Sequence, residues 1–369
     1  MGNFEILNQD SNCPARRGLL RTSHGDIETP VFMPVGTAGA VKGILPQQLK
    51  DIGTKMVLAN TYHLLLRPGA EVIEKLGGLH NFMAWHGPIL TDSGGYQIFS
   101  LAPLVRIDED GVEFTSHIDG AKIYLTPERA IKVQSQLAPD IAMCLDECIS
   151  CSVPASELER GVERTIRWAK RCKLAHEKKE QQLFAVVQGG IDLSARSYCA
   201  AELVKIAFDG YAIGGLSVGE GYDDMIRTVE HTVELLPYNK ARYLMGVGRA
   251  TDIVAAVRAG VDMFDCVLPS RNGRNSLAFT ENGPVRLRNS AHTNDSRPIE
   301  SGCDCYACKN FSRATIRHFF NVGEMLGAIL TSIHNLRFYQ RLTASIRESL
   351  RRNEFDDWAK TYLQKYGNF

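Results

Sequence analysis

Short apolar segments recur along the chain, and segments with helical periodicity separate most of them. Eight apolar segments are typical of buried strands: 29–37, 55–63, 88–95, 140–148, 182–190, 210–216, 241–248 and 262–270. Between them, residues 126–138 and 156–172 place apolar residues close to a 3.6-residue period, which predicts amphipathic helices. This alternation predicts an α/β protein in which residues 1–369 form one (β/α)8 TIM barrel. A doubly wound parallel sheet is the alternative that the pattern leaves open.

Two segments interrupt the alternation. Residues 97–125 contain an alternating polar and apolar stretch, "DGVEFTSHIDGAKIYL", which predicts a β-hairpin inserted after the third strand. Residues 271–334 separate the eighth strand from the closing helix and contain three closely spaced cysteines. We therefore expect a small metal-binding subdomain near the C-terminus.

Acidic and amide side chains follow the ends of several predicted strands. Asp92, Asp146, Gln188 and Asp265 all stand at such positions. The carboxyl ends of all the strands of a barrel meet on one face, where active sites are built. A single acid at a strand end is equally typical of a helix cap. Three acids and a glutamine at one rim instead predict a ligand-binding site.

The overall composition mainly excludes classes of protein. The 42 basic residues balance 42 acidic residues, so the net charge does not indicate a nucleic-acid partner. No apolar run approaches the roughly 18 residues of a membrane span, and the N-terminus lacks the pattern of a signal peptide. We expect a cytoplasmic protein without a membrane partner. Clustered cysteines in that reducing compartment bind metal or carry out chemistry.

Basic residues nevertheless concentrate in two places. The groups are Arg164, Arg167, Lys170, Arg171, Lys173, Lys178 and Lys179, and then Arg271, Arg274, Arg286 and Arg288. A solvated face is the ordinary interpretation of either group. The second group follows the eighth strand, where contacts to RNA phosphates are the alternative.

The cysteine cluster has the spacing of a metal site. Cys303, Cys305 and Cys308 supply three thiolates, and a tetrahedral zinc ion needs a fourth ligand. His318 and His334 are the candidates. We favour His334, because "TSIHNLRFYQ" predicts a helix start that could return to the cysteine loop. A Cys3His site has no open coordination position, which predicts a structural Zn²⁺. An iron–sulfur cluster would ordinarily take four cysteines.

Several longer motifs occur in a fixed order. They are "LTDSGGYQIFS" (90–100), "LDEC" (145–148), "VVQGG" (186–190), "IGGLSVGE" (213–220), "YLMGVG" (243–248), "DMFDCVLPSRNGRN" (262–275), "CDCYAC" (303–308) and "HN" (334–335). Together they resemble the queuine tRNA-ribosyltransferases, also called tRNA-guanine transglycosylases. The resemblance covers about residues 14–366.

The resemblance implies a TIM barrel with a zinc-binding insertion and a function in tRNA modification. Enzymes of this family exchange guanine at wobble position 34 of GUN-anticodon tRNAs (Tyr, His, Asn and Asp) for a 7-deazaguanine. It implies that Asp265 is the nucleophile and that Asp92 is the general acid and base. Asp146, Gln188 and Gly215 match the residues that bind the base, while Tyr96 and Met245 match the pair that covers its two faces.

The resemblance also implies contacts outside the base pocket. The matched tRNA-binding residues are Gly246, Val247, Gly248, Arg249, Ala250, Thr251, Asp252, Ser270, Arg271, Asn272, Gly273 and Arg274. The matched zinc ligands, for one structural Zn²⁺ per chain, are Cys303, Cys305, Cys308 and His334. The expected partners are the tRNA anticodon loop, the 7-deazaguanine base and a second copy of the chain in a homodimer.

Ser217 differs from the usual bacterial residue, whereas Val218 matches the bacterial members and differs from the eukaryotic ones. Bacterial members commonly have Ala at the first position, and the eukaryotic members that this chain resembles have Gly at the second. The branched Val218 should narrow the exit for a substituent on the base, because extra methyl groups exclude bulk. We therefore expect insertion of 7-aminomethyl-7-deazaguanine rather than queuine.

Two other functions compete with this interpretation. A non-catalytic tRNA-binding subunit would lack the catalytic acids, whereas Asp92 and Asp265 are both present. A barrel hydrolase of small nucleosides would not need the basic "RNGRN" segment or the cysteine cluster. Activity on free nucleosides would support the hydrolase.

Overall fold

The computed structural model describes residues 3–101, 105–149, 153–217 and 219–366. Within them the strands are, in chain order, β1 (Phe4–Gln9), β2 (Arg16–Thr22), β3 (Gly25–Thr29), β4 (Val31–Pro34), β5 (Val57–Ala59), β6 (Ile89–Thr91), β7 (Val105–Ile107), β8 (Val112–Thr115), β9 (Lys122–Leu125), β10 (Ile141–Met143), β11 (Gln182–Val187), β12 (Gly210–Ile213), β13 (Ala241–Leu244), β14 (Met263–Cys266), β15 (Leu277–Ala278) and β16 (Val285–Arg286). The α-helices are α1 (Pro46–Asp51), α2 (Thr61–Leu66), α3 (Ala70–Lys75), α4 (Leu79–Met83), α5 (Gly95–Leu101), α6 (Pro127–Leu137), α7 (Ala155–Ala175), α8 (Leu193–Ile206), α9 (Tyr222–Leu235), α10 (Ala250–Arg258), α11 (Leu268–Arg274), α12 (Tyr306–Asn310), α13 (Arg313–Asn321), α14 (Met325–Arg351) and α15 (Phe355–Tyr366). One 3₁₀ helix covers Ser290–His292.

Eight parallel strands form the barrel, in the order β4-β14-β13-β12-β11-β10-β6-β5. The two end strands meet through a parallel bridge between Val35 and Leu58, and the Gly36 amide donates to the Leu58 carbonyl at 2.6 Å. Each of the eight predicted apolar segments contains one of these strands. The predicted TIM barrel is therefore confirmed, and the doubly wound alternative is wrong.

The two predicted helices form for identifiable local reasons. Helix α6 begins after Thr126, whose hydroxyl accepts from the Arg129 amide, and Pro127 occupies the first helical turn. It ends at Ala138 in the left-handed conformation. Helix α7 buries one face, including Val162 and Ala169, against the barrel. Both helices lie within a residue or a few residues of their predicted bounds.

A three-stranded antiparallel sheet, β1-β2-β3, precedes the barrel and was not predicted. Its buried side chains Phe4, Leu20 and Ile27 pack in the same cluster as the side chains inside the barrel. At the start of β2, Arg16 contacts Asp262 at 2.6 Å, with both side chains fully buried. Because Asp262 directly precedes β14, this sheet closes the amino-terminal end of the barrel, opposite the predicted site.

A histidine pair ties the same end of the barrel to this sheet. Asp140, which precedes β10, accepts from His24 Nδ1 at 2.9 Å, from His80 Nε2 at 3.2 Å and from the Ile89 amide at 2.9 Å. The two imidazole rings are stacked with 3.6 Å between their centroids. No ion can lie in the planes of both stacked rings, so this group has the geometry of a hydrogen-bonded brace.

The insertion after β6 is a three-stranded antiparallel sheet, β7-β8-β9. It contains the predicted hairpin, β8-β9, and one additional strand. The start of the predicted 97–125 segment is helical instead, because α5 extends from Gly95 to Leu101.

Arginines of the first basic group connect helix α7 to nearby acids. Arg167 contacts Glu109 at 2.5 Å, and Arg171 contacts Glu128 at 2.7 Å. Glu109 lies in the turn between β7 and β8. Arg167 therefore links α7 to the inserted sheet, Arg171 links α7 to the start of α6, and both charges are paired within the chain.

The segment 271–334 contains β15, β16, the 3₁₀ helix, α12 and α13, and then the start of α14. His334 lies inside α14, which begins at Met325, so the prediction that His334 stands at a helix start is wrong. In the described residues, none of the helices has the length and apolar character needed to cross a membrane.

Candidate active site

A cavity of about 650 Å³ opens at the carboxyl ends of the barrel strands. It is lined by every residue predicted for catalysis or base binding: Asp92, Tyr96, Asp146, Gln188, Gly215, Met245 and Asp265. These residues come from distant parts of the chain, and the barrel brings them together because its parallel strands all end on this face.

Asp265 lies at the end of β14 and is held by two donors. The Tyr243 hydroxyl donates to its Oδ1 at 2.6 Å, and the Gly246 amide donates to the same oxygen at 2.8 Å. Burial raises the pKa of Asp265, while these two hydrogen bonds oppose the rise. Since both donors contact Oδ1, Oδ2 is left to react with a bound group.

Asp92 follows β6 and is buried with only 6% of its surface exposed. Asn60 Nδ2 donates to Oδ2 at 2.6 Å, and the Thr61 amide donates to Oδ1 at 2.8 Å. Burial raises the pKa of Asp92 to about 6, with a smaller rise from the charge of Asp265. A carboxyl group with this pKa can both donate and accept a proton near neutral pH.

Asp146 and Gln188 form a fixed pair across the cavity floor. Gln188 Nε2 donates to Asp146 Oδ2 at 2.7 Å, and the Ser93 hydroxyl donates to Oδ1 at 3.0 Å. Burial raises the pKa of Asp146. The carboxylate retains lone pairs that can accept adjacent N–H groups of a ligand.

Gly215 stands beside Gln188 with a φ of +64°. A Cβ atom at this position would lie 2.3 Å from Gln188 Oε1, so a larger residue would collide with the glutamine. The same Oε1 is buried without a hydrogen-bond partner among the described residues. The backbone of Gly215 therefore packs directly against the Gln188 side chain, and both residues line the cavity.

Tyr96 and Met245 both line the cavity, from α5 and from the segment after β13. Tyr96 is 51% exposed, whereas Met245 is half-buried. An aromatic ring and a polarizable thioether on a cavity wall can cover the faces of a planar ligand.

The predicted RNA-binding stretches follow β13 and β14. Gly246, Gly248, Arg249, Asp252 and Arg271 line the cavity. The others are Val247, Ser270 and Gly273, which are buried, and Ala250, Thr251, Asn272 and Arg274, which are half-buried. The exposed cations of this set, Arg249 and Arg271, lie at the cavity itself.

Four residues that sequence reasoning did not single out also shape the site: Asn60, Ser93, Tyr243 and Arg196. Asn60 follows β5 directly, so the strand-end rule could have identified it. Ser93 stands within the "TDSGG" motif. Tyr243 lies inside a strand, and Arg196 lies in the first turn of α8, where nothing in the local pattern indicates a role.

The cysteine cluster has the geometry of a metal site. His334 Nδ1 lies 3.6 Å from Cys303 Sγ, 3.7 Å from Cys305 Sγ and 3.3 Å from Cys308 Sγ. A tetrahedral ion with Zn–S and Zn–N bonds of usual length separates such atoms by about 3.6 Å. These four residues could therefore hold a metal ion. His318 lies exposed on α13, outside this group.

His334 and Asn335 connect the cluster to the segment that follows β14. His334 Nε2 contacts the Phe279 carbonyl at 2.7 Å, which leaves Nδ1 free to coordinate. Asn335 accepts from the Phe279 amide at 2.9 Å and donates to the Pro269 carbonyl at 2.9 Å. Helix α14 thus holds both the cysteine loop and the start of α11, just beyond Asp265.

Comparison with known proteins identifies relatives over nearly the whole chain. The family model described as "Queuine tRNA-ribosyltransferase" matches residues 10–368. A protein named queuine tRNA-ribosyltransferase from Syntrophobacter fumaroxidans is 52% identical over 359 residues, covering 97% of this chain and 96% of the relative.

Two further relatives carry the same name. The protein from Pelotomaculum thermopropionicum is 50% identical over 363 residues, with 98% of each chain covered. The protein from a Thermoanaerobacter species is 51% identical over 365 residues, covering 99% of this chain and 97% of the relative. The strand-end cavity, the Cys3His cluster and these matches agree, and the chain belongs to the queuine tRNA-ribosyltransferase family of transglycosylase enzymes.

Proposed function

We propose that this protein is a tRNA-guanine transglycosylase, which replaces guanine 34 of GUN-anticodon tRNAs with 7-aminomethyl-7-deazaguanine. The observation that carries the proposal is the placement of Asp92 and Asp265 in one cavity with Asp146, Gln188 and Gly215. Two carboxylates beside a set of base-edge partners suit the transfer of a sugar between two bases.

The reaction proceeds by two displacements at the ribose anomeric carbon. Asp265 Oδ2 attacks this carbon, the bond to guanine breaks, and Asp92 gives a proton to the departing base. The incoming base then loses a proton to Asp92, its nitrogen bonds to the same carbon, and the bond to Asp265 breaks. Two inversions retain the configuration of the ribose.

Two sets of protein groups recognise the base, one at its N–H donors and one at its O6 acceptor. Asp146 accepts the adjacent N1–H and N2–H of guanine, and Ser93 and Gln188 hold the carboxylate in position. O6 accepts one hydrogen bond from the Gly215 amide and another from the second hydrogen of Gln188 Nε2. Tyr96 and Met245 cover the two faces once the base is turned out of the RNA loop.

Arg249 and Arg271 lie at the cavity, where the phosphates of an anticodon loop would approach. Each of the two stretches, 246–252 and 270–274, contributes one of these exposed arginines, which supports a role in tRNA binding. With this activity, we expect the protein in the cytoplasm, where its tRNA substrates are.

The Cys3His group supports a structural Zn²⁺, one per chain. Three thiolates and one imidazole are a typical zinc donor set without an open coordination position. When bound, the ion joins the cysteine loop to α14. We regard residues 97–125 and 271–334 as insertions into a single barrel domain, 1–369.

A homodimer that packs near the zinc-binding segment would extend the surface for tRNA. Tyr306, Val322 and Met325 support this proposal, because these large apolar side chains are 58%, 61% and 75% exposed on that segment. Sedimentation of the wild type and of Met325→Lys tests it. A monomeric wild type would contradict the homodimer.

The decisive experiment measures exchange of radiolabelled guanine into defined tRNAs. Wild-type protein with tRNA and no competing base should form an adduct that survives denaturation. Asp265→Asn should form none, and Asp92→Asn should lose at least about 100-fold in rate. Full exchange by Asp265→Asn would refute the nucleophile, and no exchange by the wild type would favour a non-catalytic tRNA-binding subunit. Cleavage of free nucleosides without tRNA would indicate the hydrolase instead.

A further inference from the structure

Arg196 is a fully buried arginine next to the base-binding residues. Its guanidinium makes four hydrogen bonds to three backbone carbonyls. Nε and Nη2 donate to Gly190 O at 2.9 and 2.8 Å, Nη1 donates to Val187 O at 2.7 Å, and Nη2 donates to Gly214 O at 2.8 Å. One side chain thus joins the ends of two neighbouring barrel strands, β11 and β12.

The three carbonyls flank the two residues that face the base. Val187 directly precedes Gln188, and Gly190 lies in the turn after it. Gly214 directly precedes Gly215. Glycine backbones rotate easily, and Gly190 and Gly215 both have positive φ angles. A fixed cation between these segments therefore restricts backbone that would otherwise be free to turn.

The geometry of the peptide bond links Arg196 to the cavity. In a trans peptide the carbonyl oxygen and the following N–H point in opposite directions. The carbonyl of Gly214 points to Arg196, so the N–H of Gly215 in the same peptide points away from Arg196. Gly215 lines the cavity, and its N–H is the group proposed to meet O6 of the base.

We infer that Arg196 is a positioning residue that fixes the Gly214–Gly215 peptide and thereby determines recognition of the O6 edge of the base. The inference rests on the proposed function. Arg196 touches neither base nor sugar and acts through the peptide. The assignment also explains why the position needs arginine. A lysine would carry the same charge, but its single nitrogen cannot reproduce the planar fork that spans three carbonyls.

The test compares three bases as competitive inhibitors of guanine exchange, in the wild type and in Arg196→Lys. Guanine offers both the N1–H and N2–H donors and the O6 acceptor. 6-Thioguanine keeps N1–H and N2–H but replaces O6 with a weak sulfur acceptor. Hypoxanthine keeps O6 but lacks the amino group that faces Asp146. The matched control is Ser197→Ala, the next residue of α8, whose hydroxyl contacts the Leu193 carbonyl and His231 instead of the cavity segments.

In Arg196→Lys we expect the inhibition constants of guanine and hypoxanthine to rise about tenfold, the value of one hydrogen bond. The constant of 6-thioguanine should rise only about twofold, since it gains little from the Gly215 amide in the wild type. The KM for tRNA should stay within about twofold, because the hydrogen bonds of Arg196 go to Val187, Gly190 and Gly214 and not to the proposed RNA-binding stretches. Ser197→Ala should leave all three inhibition constants unchanged.

An equal rise for all three bases would overturn the inference, because it would mean a general loosening of the cavity. If Arg196→Lys does not fold, Arg196→Gln is compared in the same way. A chain that tolerates neither substitution would make Arg196 a residue for stability, which also overturns the assignment. A wild type that neither binds guanine nor exchanges it would refute the proposed function itself.

Discussion

At the scale of single residues, the environment of Asp92 sets the pH range in which its carboxyl group is ionised. Burial raises its pKa to about 6, while Asn60 and the Thr61 amide stabilise the ionised form and limit the rise. In the proposed mechanism, the ionised form of Asp92 must be present to take the proton of an incoming base. The population of this ionised form falls tenfold for each pH unit below the pKa. Catalysis with free base should therefore weaken in acid.

Removal of the Asn60 amide should change this dependence. We expect kcat/KM for free base to fall below about pH 6 in the wild type. In Asn60→Ala the ionised form of Asp92 loses a hydrogen-bond donor, so the pKa of Asp92 should rise. The decline in kcat/KM should therefore move to higher pH by about one pH unit. Ser100→Ala, another cavity residue, is the control. Identical profiles for wild type and Asn60→Ala would contradict the role of this hydrogen bond.

The choice of base tests a prediction that rests on sequence alone, since Val218 lies outside the described residues. We expect the wild type to use 7-aminomethyl-7-deazaguanine more efficiently than queuine. Val218→Gly should relax that preference by removing branched bulk from the exit. The measurement is kcat/KM for both bases. A wild type that uses the two bases equally would show that Val218 does not restrict the cavity.

At the scale of elements, α11 and α14 form the link between β14 and the cysteine cluster. A Cβ at Gly273 would lie 2.7 Å from Ser332 Cα, so the two helices are in close backbone contact. Asn335 of α14 donates hydrogen bonds to the Pro269 carbonyl at the start of α11 and to the Leu277 carbonyl in β15. The basic residues of α11 are therefore presented on a rigid support.

The arginines of α11 should contribute to tRNA binding through phosphates. Arg271→Ala and Arg274→Ala should each weaken tRNA binding and lower the salt dependence. The slope of log K against log salt should decrease by about 0.7 to 1 for each phosphate that the variant no longer neutralises. The measurement is tRNA affinity over a range of salt concentrations. Arg227→Ala, an exposed residue of α9, is the control. Unchanged affinity in both variants would show that this basic group is only a solvated face.

At the scale of the whole molecule, the barrel was predictable because its strands are continuous apolar runs bounded by glycines and acids. The strand-end rule also located Asp92, Asp146, Gln188 and Asp265. The N-terminal sheet was not predictable in the same way. Its strands "RRGLLRT" and "GDIET" expose polar residues, and their apolar side chains have meaning only against the end of a formed barrel. Arg196 was missed for the same reason, since its partners are backbone carbonyls that only the folded strands bring together.

The metal should contribute to the stability of one part of the molecule. We expect about one zinc ion per chain in purified protein, and Cys305→Ala should lose the ion together with the order of residues 301–334. Zinc analysis and limited proteolysis measure these two effects. Cys13→Ala, which alters a cysteine outside the cluster, should retain both. Absence of zinc from the wild type would contradict the prediction.

The closure of the barrel has a consequence for the synthesis of the protein. The first barrel strand, β4, pairs with the last, β14, in the register Val31–Met263. The ribosome must therefore deliver most of the chain before β4 can find this neighbour, a wait on the order of tens of seconds. During that time the edge of β4 that will pair with β14 keeps unpaired backbone N–H and C=O groups. Nascent chains that stall before β14 should thus depend on chaperones, whereas completed chains should not.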